Sequence, residues 1–190
     1  MVVKTSDLNE AIKILRDGGV IVYPTDTVYG IGCIIGNQNA VKRIREIKGI
    51  EGGKPLSLAF SGIWQARNYC RPNGLQFRKI MESISAEMIG NYEPFTYLVE
   101  KSERVPEYIT GGSNKIGIRI PFHDAVRKIT EKVGPIITTS ANFHGEATPN
   151  SFEEINPLLL EKVDLALIGE CKYKKASKIT DLTDEKILRP

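Results

Sequence analysis

Two stretches of this chain set short hydroxyl and amide side chains directly behind an apolar run. Val20-Ile21-Val22-Tyr23 leads into Pro24-Thr25-Asp26-Thr27-Val28-Tyr29-Gly30, and Ile136-Ile137 leads into Thr138-Thr139-Ser140-Ala141-Asn142. A buried strand with such an exit delivers several small hydrogen-bonding groups to one place, as ligand sites at the strand ends of open α/β sheets do. Turn formation is the competing explanation for either stretch alone. Together, with many cationic residues between them, they point to a site for a polar, anionic small molecule.

The cations sharpen that reading. Lys48 closes a helical pattern and is followed by the loop 49–53 and then Lys54-Pro55. Two lysines flanking a Gly-rich loop can fold over a triphosphate as point charges. A lysine at a helix C-terminus is also favoured by the helix dipole alone, so both readings stand. Arg119 lies on the polar side of a strand whose other side is Ile116, Ile118 and Ile120. A guanidinium there either grips a ligand carboxylate in bidentate fashion or closes an internal salt bridge. A second cluster, Lys172, Lys174, Lys175 and Lys178, is either solvated surface or a contact for a phosphate-rich partner.

Several chemistries are excluded. His123 and His144 stand in no GxSxG-type context, so no hydrolytic triad is assigned. GxxxxGK[ST] is absent, and Gly30-Ile31-Gly32 lacks the third glycine of a dinucleotide fingerprint. Cys33, Cys70 and Cys171 are odd in number and widely spaced, which indicates buried free thiols with neither zinc site nor disulfides. No metal-ligating residues are assigned.

The elements that must position these groups follow from periodicity. Asp7 or Ser6 caps a helix with Leu8, Ala11, Ile12 and Leu15 on one face, ended by Gly18-Gly19. Strands are expected at 20–23, 31–35, 55–60, 95–100, 115–120, 135–139, 164–168, 178–182 and 186–189. Helices are expected at 39–48 (Val41, Ile44, Ile47 inward), 62–70, 75–90 (Leu75, Ile80, Met81, Ile84, Met88 on a face), 123–133 and 151–162. Short links between strands, mixed with helices, argue for an α/β fold: one domain over 1–190 with a twisted mixed sheet. At 190 residues the chain can bury a real core. No apolar run is long enough for a bilayer, and polar residues arrive too early for a secretory signal, so the expectation is no membrane and a cytoplasmic protein. Net charge is only +3, so composition by itself does not indicate a nucleic-acid binder.

In order and spacing, the motifs resemble the YrdC-like family of threonylcarbamoyl-adenylate synthases. The pieces are Tyr23 to Gly30, Lys48, Lys54-Pro55-Leu56, Pro94-Phe95-Thr96, Gly117-Ile118-Arg119-Ile120-Pro121, Ser140-Ala141-Asn142, Ser177-Lys178-Ile179 and the final Leu188-Arg189-Pro190. The resemblance implies a mixed sheet with a positively charged concave groove. It implies an enzyme that joins L-threonine, bicarbonate and ATP into threonylcarbamoyl-AMP and pyrophosphate, with Mg²⁺ on the triphosphate. The product serves threonylcarbamoyladenosine modification of tRNA by a separate tRNA threonylcarbamoyl-transferase complex. Thr25, Arg119, Thr138 and Ser177 would bind the threonine moiety. Lys48, Lys54, Thr96, Ser140, Asn142 and Arg189 would meet the nucleotide, with Lys48 and Arg119 as the catalytic pair. The length implies that the additional C-terminal domain of longer relatives is missing.

The chain also departs from that pattern. Ile50 stands where the family's Lys-x-Arg arginine belongs, Ala59 replaces a histidine near the threonine, Tyr92-Glu93 precedes Pro94, and Lys178 stands in the Ser-Thr-Ile motif. Two further readings therefore stay open: a non-catalytic protein of the same fold that binds tRNA or double-stranded RNA, and a paralogous enzyme with another carbamoyl-adenylate substrate.

Overall fold

The computed structural model describes residues 2–50, 55–91 and 93–190. In chain order the elements are β1 (Val3–Thr5), α1 (Leu8–Arg16), β2 (Ile21–Tyr23), β3 (Gly30–Gly32), α2 (Gln38–Lys48) and β4 (Ser57–Ala59). α3 (Ile63–Ala66), α4 (Gly74–Met88), β5 (Phe95–Glu100), α5 (Glu107–Thr110), β6 (Lys115–Arg119), α6 (Asp124–Val133) and β7 (Ile136–Ser140) follow. α7 (Pro157–Leu160), β8 (Leu165–Leu167), β9 (Lys178–Asp181) and β10 (Lys186–Arg189) complete the fold.

The helices start and stop where side chains meet their orphan backbone groups. Asp7 accepts from Asn9 N (2.8 Å) at the head of α1, and Asn37 accepts from Ala40 N (3.0 Å) at the head of α2. Gly49 ends α2 in the left-handed region (φ 62°), which a glycine adopts without steric cost. Lys48 is thereby the last residue of a well-stopped helix.

The strands form one mixed sheet in the order β1-β8-β2-β3-β7-β4-β6-β5-β9-β10. β8 and β9 are consecutive in the chain but stand second and ninth in the sheet. Their separation is seven strand spacings, roughly 34 Å in a flat sheet at about 4.8 Å each. The residues between them, 168–177, reach at most about 35 Å fully extended. They are not extended, because Lys174 turns the chain at φ 52° and Tyr173 N stops to donate to Asp26 O (2.8 Å). The sheet must therefore curl, and this strap crosses its concave side.

Period-two alternation divides the sheet into two faces. Val22, Ile31, Leu58, Ile118 and Ile137 join the larger core with Val41, Ile44 and Ile47 of α2 and Ile80 of α4. On the other face Ile21, Tyr23, Ala59, Ile136 and Leu165 pack against Ala11 and Leu15 of α1 and Val126 and Ile129 of α6. All three cysteines are buried free thiols. Among the described residues, no helix is long and apolar enough to cross a membrane.

Three expectations change. The helix at 151–162 shrinks to α7, because Pro157 has no N–H to continue a helix through it and Asn156 caps the turn that begins there. The helix at 62–70 stops at Ala66, and Cys70 instead bridges to Lys101. Leu75 is 76% exposed rather than inward, since the packed stripe of α4 runs through Phe77, Ile80, Met81 and Ile84. β1 and α5 went unread: three residues of mixed polarity and a single helical turn leave little period to detect.

Gly32 offers a test of how tightly the centre is packed. A Cβ there would fall inside the contact radius of the Ile137 carbonyl oxygen and 3.1 Å from the Tyr23 ring. Since backbone cannot yield cheaply, Gly32→Ala is expected to cost roughly 1–3 kcal/mol, read as a lowered denaturant midpoint. An unchanged midpoint would mean that β3 and β7 have slack between them.

Candidate functional site

On the concave face, beyond the packing of α1 and α6, the sheet carries small residues: Gly30, Ser57, Gly117, Thr138 and Ser140. Their lack of bulk leaves a cavity of about 330 Å³ over the ends of β3, β4, β6 and β7, edged by Thr96 of β5 and by Ala176 and Ser177 of the strap. That volume lies in the range of small-molecule sites. Lys48, Arg119, Arg189 and His144 line it, and no carboxylate residue does among the described residues.

Arg119 is anchored from behind. Its Nη2 donates to Asp26 Oδ1 (2.6 Å) and to Thr27 Oγ1 (2.6 Å), so both hydrogens of that nitrogen are engaged. Asp26 is fully buried and Arg119 is only 7% exposed. This is the internal salt bridge that the sequence left open. With Nη2 committed, neither bidentate edge of the guanidinium is intact, and a ligand carboxylate would have to use Nη1 or Nε.

The hydroxyls beside the pair form a directed chain. Thr27 Oγ1 accepts from Arg119, and Thr25 Oγ1 donates to Val28 O (2.7 Å). In the Thr25–Thr27 hydroxyl pair (2.9 Å) Thr27 must therefore donate. Thr25 Oγ1 also accepts from Thr27 N (3.0 Å), which saturates it. Thr25 lines the cavity, but its hydroxyl shapes the turn that carries Asp26.

Lys48 is engaged in the same way. Its ammonium donates to Ser140 O (2.6 Å), Asn142 O (2.7 Å) and Asn142 Oδ1 (2.9 Å), one acceptor for each N–H. Burial pulls its pKa down to about 8, partly opposed by the charge of Glu146. Ser140 Oγ donates to Asn142 Oδ1 (2.6 Å) and Asn142 Nδ2 to Glu146 O (2.7 Å), so the exit of β7 is tied into a knot around the lysine. With its proton committed, Ser140 presents lone pairs to the cavity.

The opposite wall is built from the chain's last third. Thr96 Oγ1 and Ser177 Oγ are hydrogen-bonded (2.8 Å), and Arg189 holds Ser177 through Nε to O (2.8 Å) and Nη2 to Oγ (3.1 Å). Burial, then the like charge of Arg119, lowers the pKa of Arg189. Two guanidiniums thus repel across the hollow, a penalty that a bound anion would relieve. Thr138 Oγ1 accepts from the buried Tyr23 OH (2.8 Å), leaving its own proton for the cavity. In the Lys172–Lys178 cluster, Lys172 lies over the Tyr173 ring (4.8 Å) and Lys178 sits 3.7 Å from Glu93, while Lys174 and Lys175 are exposed.

The cavity gathers Thr25, Lys48, Thr96, Arg119, Thr138, Ser140, Asn142, Ser177 and Arg189 from the sequence reading. Lys54 lies outside the described residues. Sequence reasoning passed over Asp26, although it stands inside a motif that was singled out; its role depends on a partner 93 residues away, which local pattern cannot display. Ser57, on the floor beside Gly117, was also missed.

Comparison with known proteins agrees with the fold. A family model for Sua5/YciO/YrdC, described as telomere recombination, matches residues 13–190. A threonylcarbamoyl-AMP synthase of Pseudomonas fluorescens is 32% identical over 96% of this chain and 96% of its own. The uncharacterized protein YciO of Escherichia coli K12 is 33% identical over 94% of this chain and 84% of its own. The crystal structure of P. abyssi Sua5 complexed with L-threonine superposes with TM-score 0.80 at 29% identity. It covers all of this chain, which spans only 57% of that protein's length.

The buried ion pair is directly testable. Asp26→Ala should destabilise by roughly 3–5 kcal/mol, because it strands a desolvated guanidinium. The double variant Asp26→Ala/Arg119→Ala should lose less than the two single losses combined, as measured by chemical denaturation. Strict additivity would show that the two side chains are not coupled.

Proposed function

The chain belongs to the Sua5/YciO/YrdC family, and from that premise we propose that it is an ATP-dependent threonylcarbamoyl-AMP synthase. The observation that carries the reading is a hollow lined by Lys48, Arg119 and Arg189 and, among the described residues, by no carboxylate, beside a wall of hydroxyls. Such a lining suits a triphosphate next to an amino acid.

In the proposed reaction, the amine of L-threonine and bicarbonate yield a carbamate with loss of water. A carbamate oxygen then attacks the α-phosphorus of ATP, an O–P bond forms, and the bond to the bridging oxygen breaks to release pyrophosphate. Transfers of this kind need alignment and charge neutralisation more than a side-chain nucleophile. Arg119, held by Asp26, meets the threonine carboxylate through Nη1 or Nε, with Thr138 donating beside it. Lys48 orders Ser140 and Asn142 for the nucleotide and supplies positive field, and Arg189 with Ser177 closes the far wall. The donor set fits Mg²⁺ only as part of the nucleotide, since hard oxygens there come from phosphate; when bound, the ion would neutralise phosphate charge. The adenylate would pass to a tRNA threonylcarbamoyl-transferase.

A second reading is favoured by one pair of observations. Escherichia coli YciO matches this chain about as well as the synthases do, and Ile50 and Ala59 stand where the family pattern has charged or polar residues. A paralogue that activates a different carbamate would share the hollow and differ in its amino-acid end.

Incubation with labelled bicarbonate, threonine and ATP should yield pyrophosphate and a labile adenylate. Pyrophosphate release that ignores threonine but responds to another amine would favour the paralogue. Arg119→Lys, which keeps a cation for Asp26, should raise the threonine KM by about 10- to 100-fold through lost charged hydrogen bonds while hardly moving the KM for ATP. Equal rises in both would detach Arg119 from the carboxylate.

The pH dependence has a worked sign. Folded Lys48 releases its proton near pH 8, while in the unfolded chain it keeps it to about 10.5. Between those values the unfolded chain binds the extra proton, so this residue's contribution to stability rises with pH. The neutral amine, however, has two N–H groups for three acceptors. ATP use should therefore fall above about pH 8 without a matching fall in melting temperature caused by Lys48; activity flat through pH 9 would remove Lys48 from the site's ordering.

A further inference from the structure

Ser57 is the one polar side chain of β4 on the cavity floor, and no role has been given to it. Its Cα pairs with Thr138 of β7 on one side and with Gly117 of β6 on the other. Gly117 is what makes room for it: a Cβ at that position would collide with Ser57 Oγ and meet Ser57 Cβ at 3.0 Å. The hydroxyl therefore leans toward β6, two residues from Arg119 on the same face. Among the described residues Ser57 Oγ makes no hydrogen bond, yet it is not among the sealed unpartnered atoms, because it opens into the cavity.

The neighbouring groups define what it could read. Arg119 offers only donors. Thr138 has given a lone pair to Tyr23 and faces the cavity as a donor. Ser140 has given its proton to Asn142. Of these, Ser57 alone makes no internal hydrogen bond among the described residues, so its proton and both lone pairs are free to donate and accept at once, which matches a ligand hydroxyl; carboxylate, carbamate and phosphate oxygens need donors only. The spacing is also suitable. Arg119 lies about 6.6 Å along β6 from the residue paired with Ser57. A β-hydroxy amino acid with a hydrogen bond of about 2.8 Å at each end bridges roughly 8 Å.

We propose that Ser57 is a specificity-determining residue that binds the side-chain hydroxyl of a β-hydroxy amino acid whose carboxylate is on Arg119. This rests on the amino-acid-activating reading above. It adds to that reading the atom that selects threonine over its apolar isostere valine. A site that hydrogen-bonds a substrate hydroxyl discriminates against the analogue lacking it, because its own polar group is left unpaired.

The test compares wild type and Ser57→Ala with threonine and with valine, by pyrophosphate release and by calorimetric binding of each amino acid. The expected result is a threonine kcat/KM lowered about tenfold in the variant, with valine changed less than twofold and the KM for ATP unchanged, the size of one lost hydrogen bond. Ser57→Thr, which retains the hydroxyl, should keep the preference for threonine, and both melting temperatures should stay near wild type. A threonine-to-valine ratio that does not move in Ser57→Ala overturns the assignment. If wild type releases no pyrophosphate with any amino acid, the synthase reading fails, and the binding ratio still decides Ser57. Absence of binding to both amino acids overturns both proposals.

Discussion

Everything at the mouth of this fold is arranged around one ion pair taken out of water. Asp26 stands in the turn between β2 and β3 and Arg119 on β6, three strands from β3, and the desolvation of each is offset in large part by the other. Because the pair must be satisfied, the Pro24–Gly30 turn cannot drift from β6. Thr27 and Thr25 complete the constraint by passing hydrogen bonds from the guanidinium to the Val28 carbonyl. The strap docks on the same residue through the Asp26 carbonyl. One buried aspartate, through its carboxylate and its backbone carbonyl, thus fixes a loop, an arginine and a crossing segment.

Lys48 has an analogous place on the other side. Its three internal acceptors draw the C-terminus of α2 onto the exit of β7, so that Ser140 and Asn142 are held before any ligand arrives. Preorganisation of this kind lowers the ordering cost of binding, since rotamers are already restricted. It also explains how a lysine at a helix end can belong to a site without pointing a free ammonium into it. The two readings left open for Lys48 from sequence are both partial: it ends a helix, and it orders the cavity.

The sheet was legible where one face alternates cleanly. The segment 115–120, with Ile116, Ile118 and Ile120 opposed to Lys115, Gly117 and Arg119, announces the position of β6 and its candidate site residue in the same six positions. α1 and α2 were legible for the same reason, with a cap to mark each start. Local pattern failed where one residue overrides a period, as Pro157 does to the expected helix around α7. It also misplaced Leu75, which lies off the stripe traced by Phe77, Ile80 and Ile84. Thr25, Thr138, Ser140 and Asn142 could be singled out because small polar residues behind apolar runs are conspicuous, whereas Thr96, Ser177 and Arg189 were named only through the family resemblance. Their connections could not, since Asp26–Arg119 and Lys48–Ser140 join residues more than ninety positions apart. Ser57 was hidden for a different reason: one serine in a short apolar strand looks ordinary until Gly117 is seen beneath it.

Arg189, which seats on Ser177 at the rim, is followed by Pro190. Any polypeptide fused behind that proline, an affinity tag included, is leashed one residue from a guanidinium of the hollow. A leash that short gives the fused segment a millimolar-scale local concentration at the entrance, with no affinity of its own required. An acidic appendage would compete there with anionic ligands, and a basic one would be repelled from the rim.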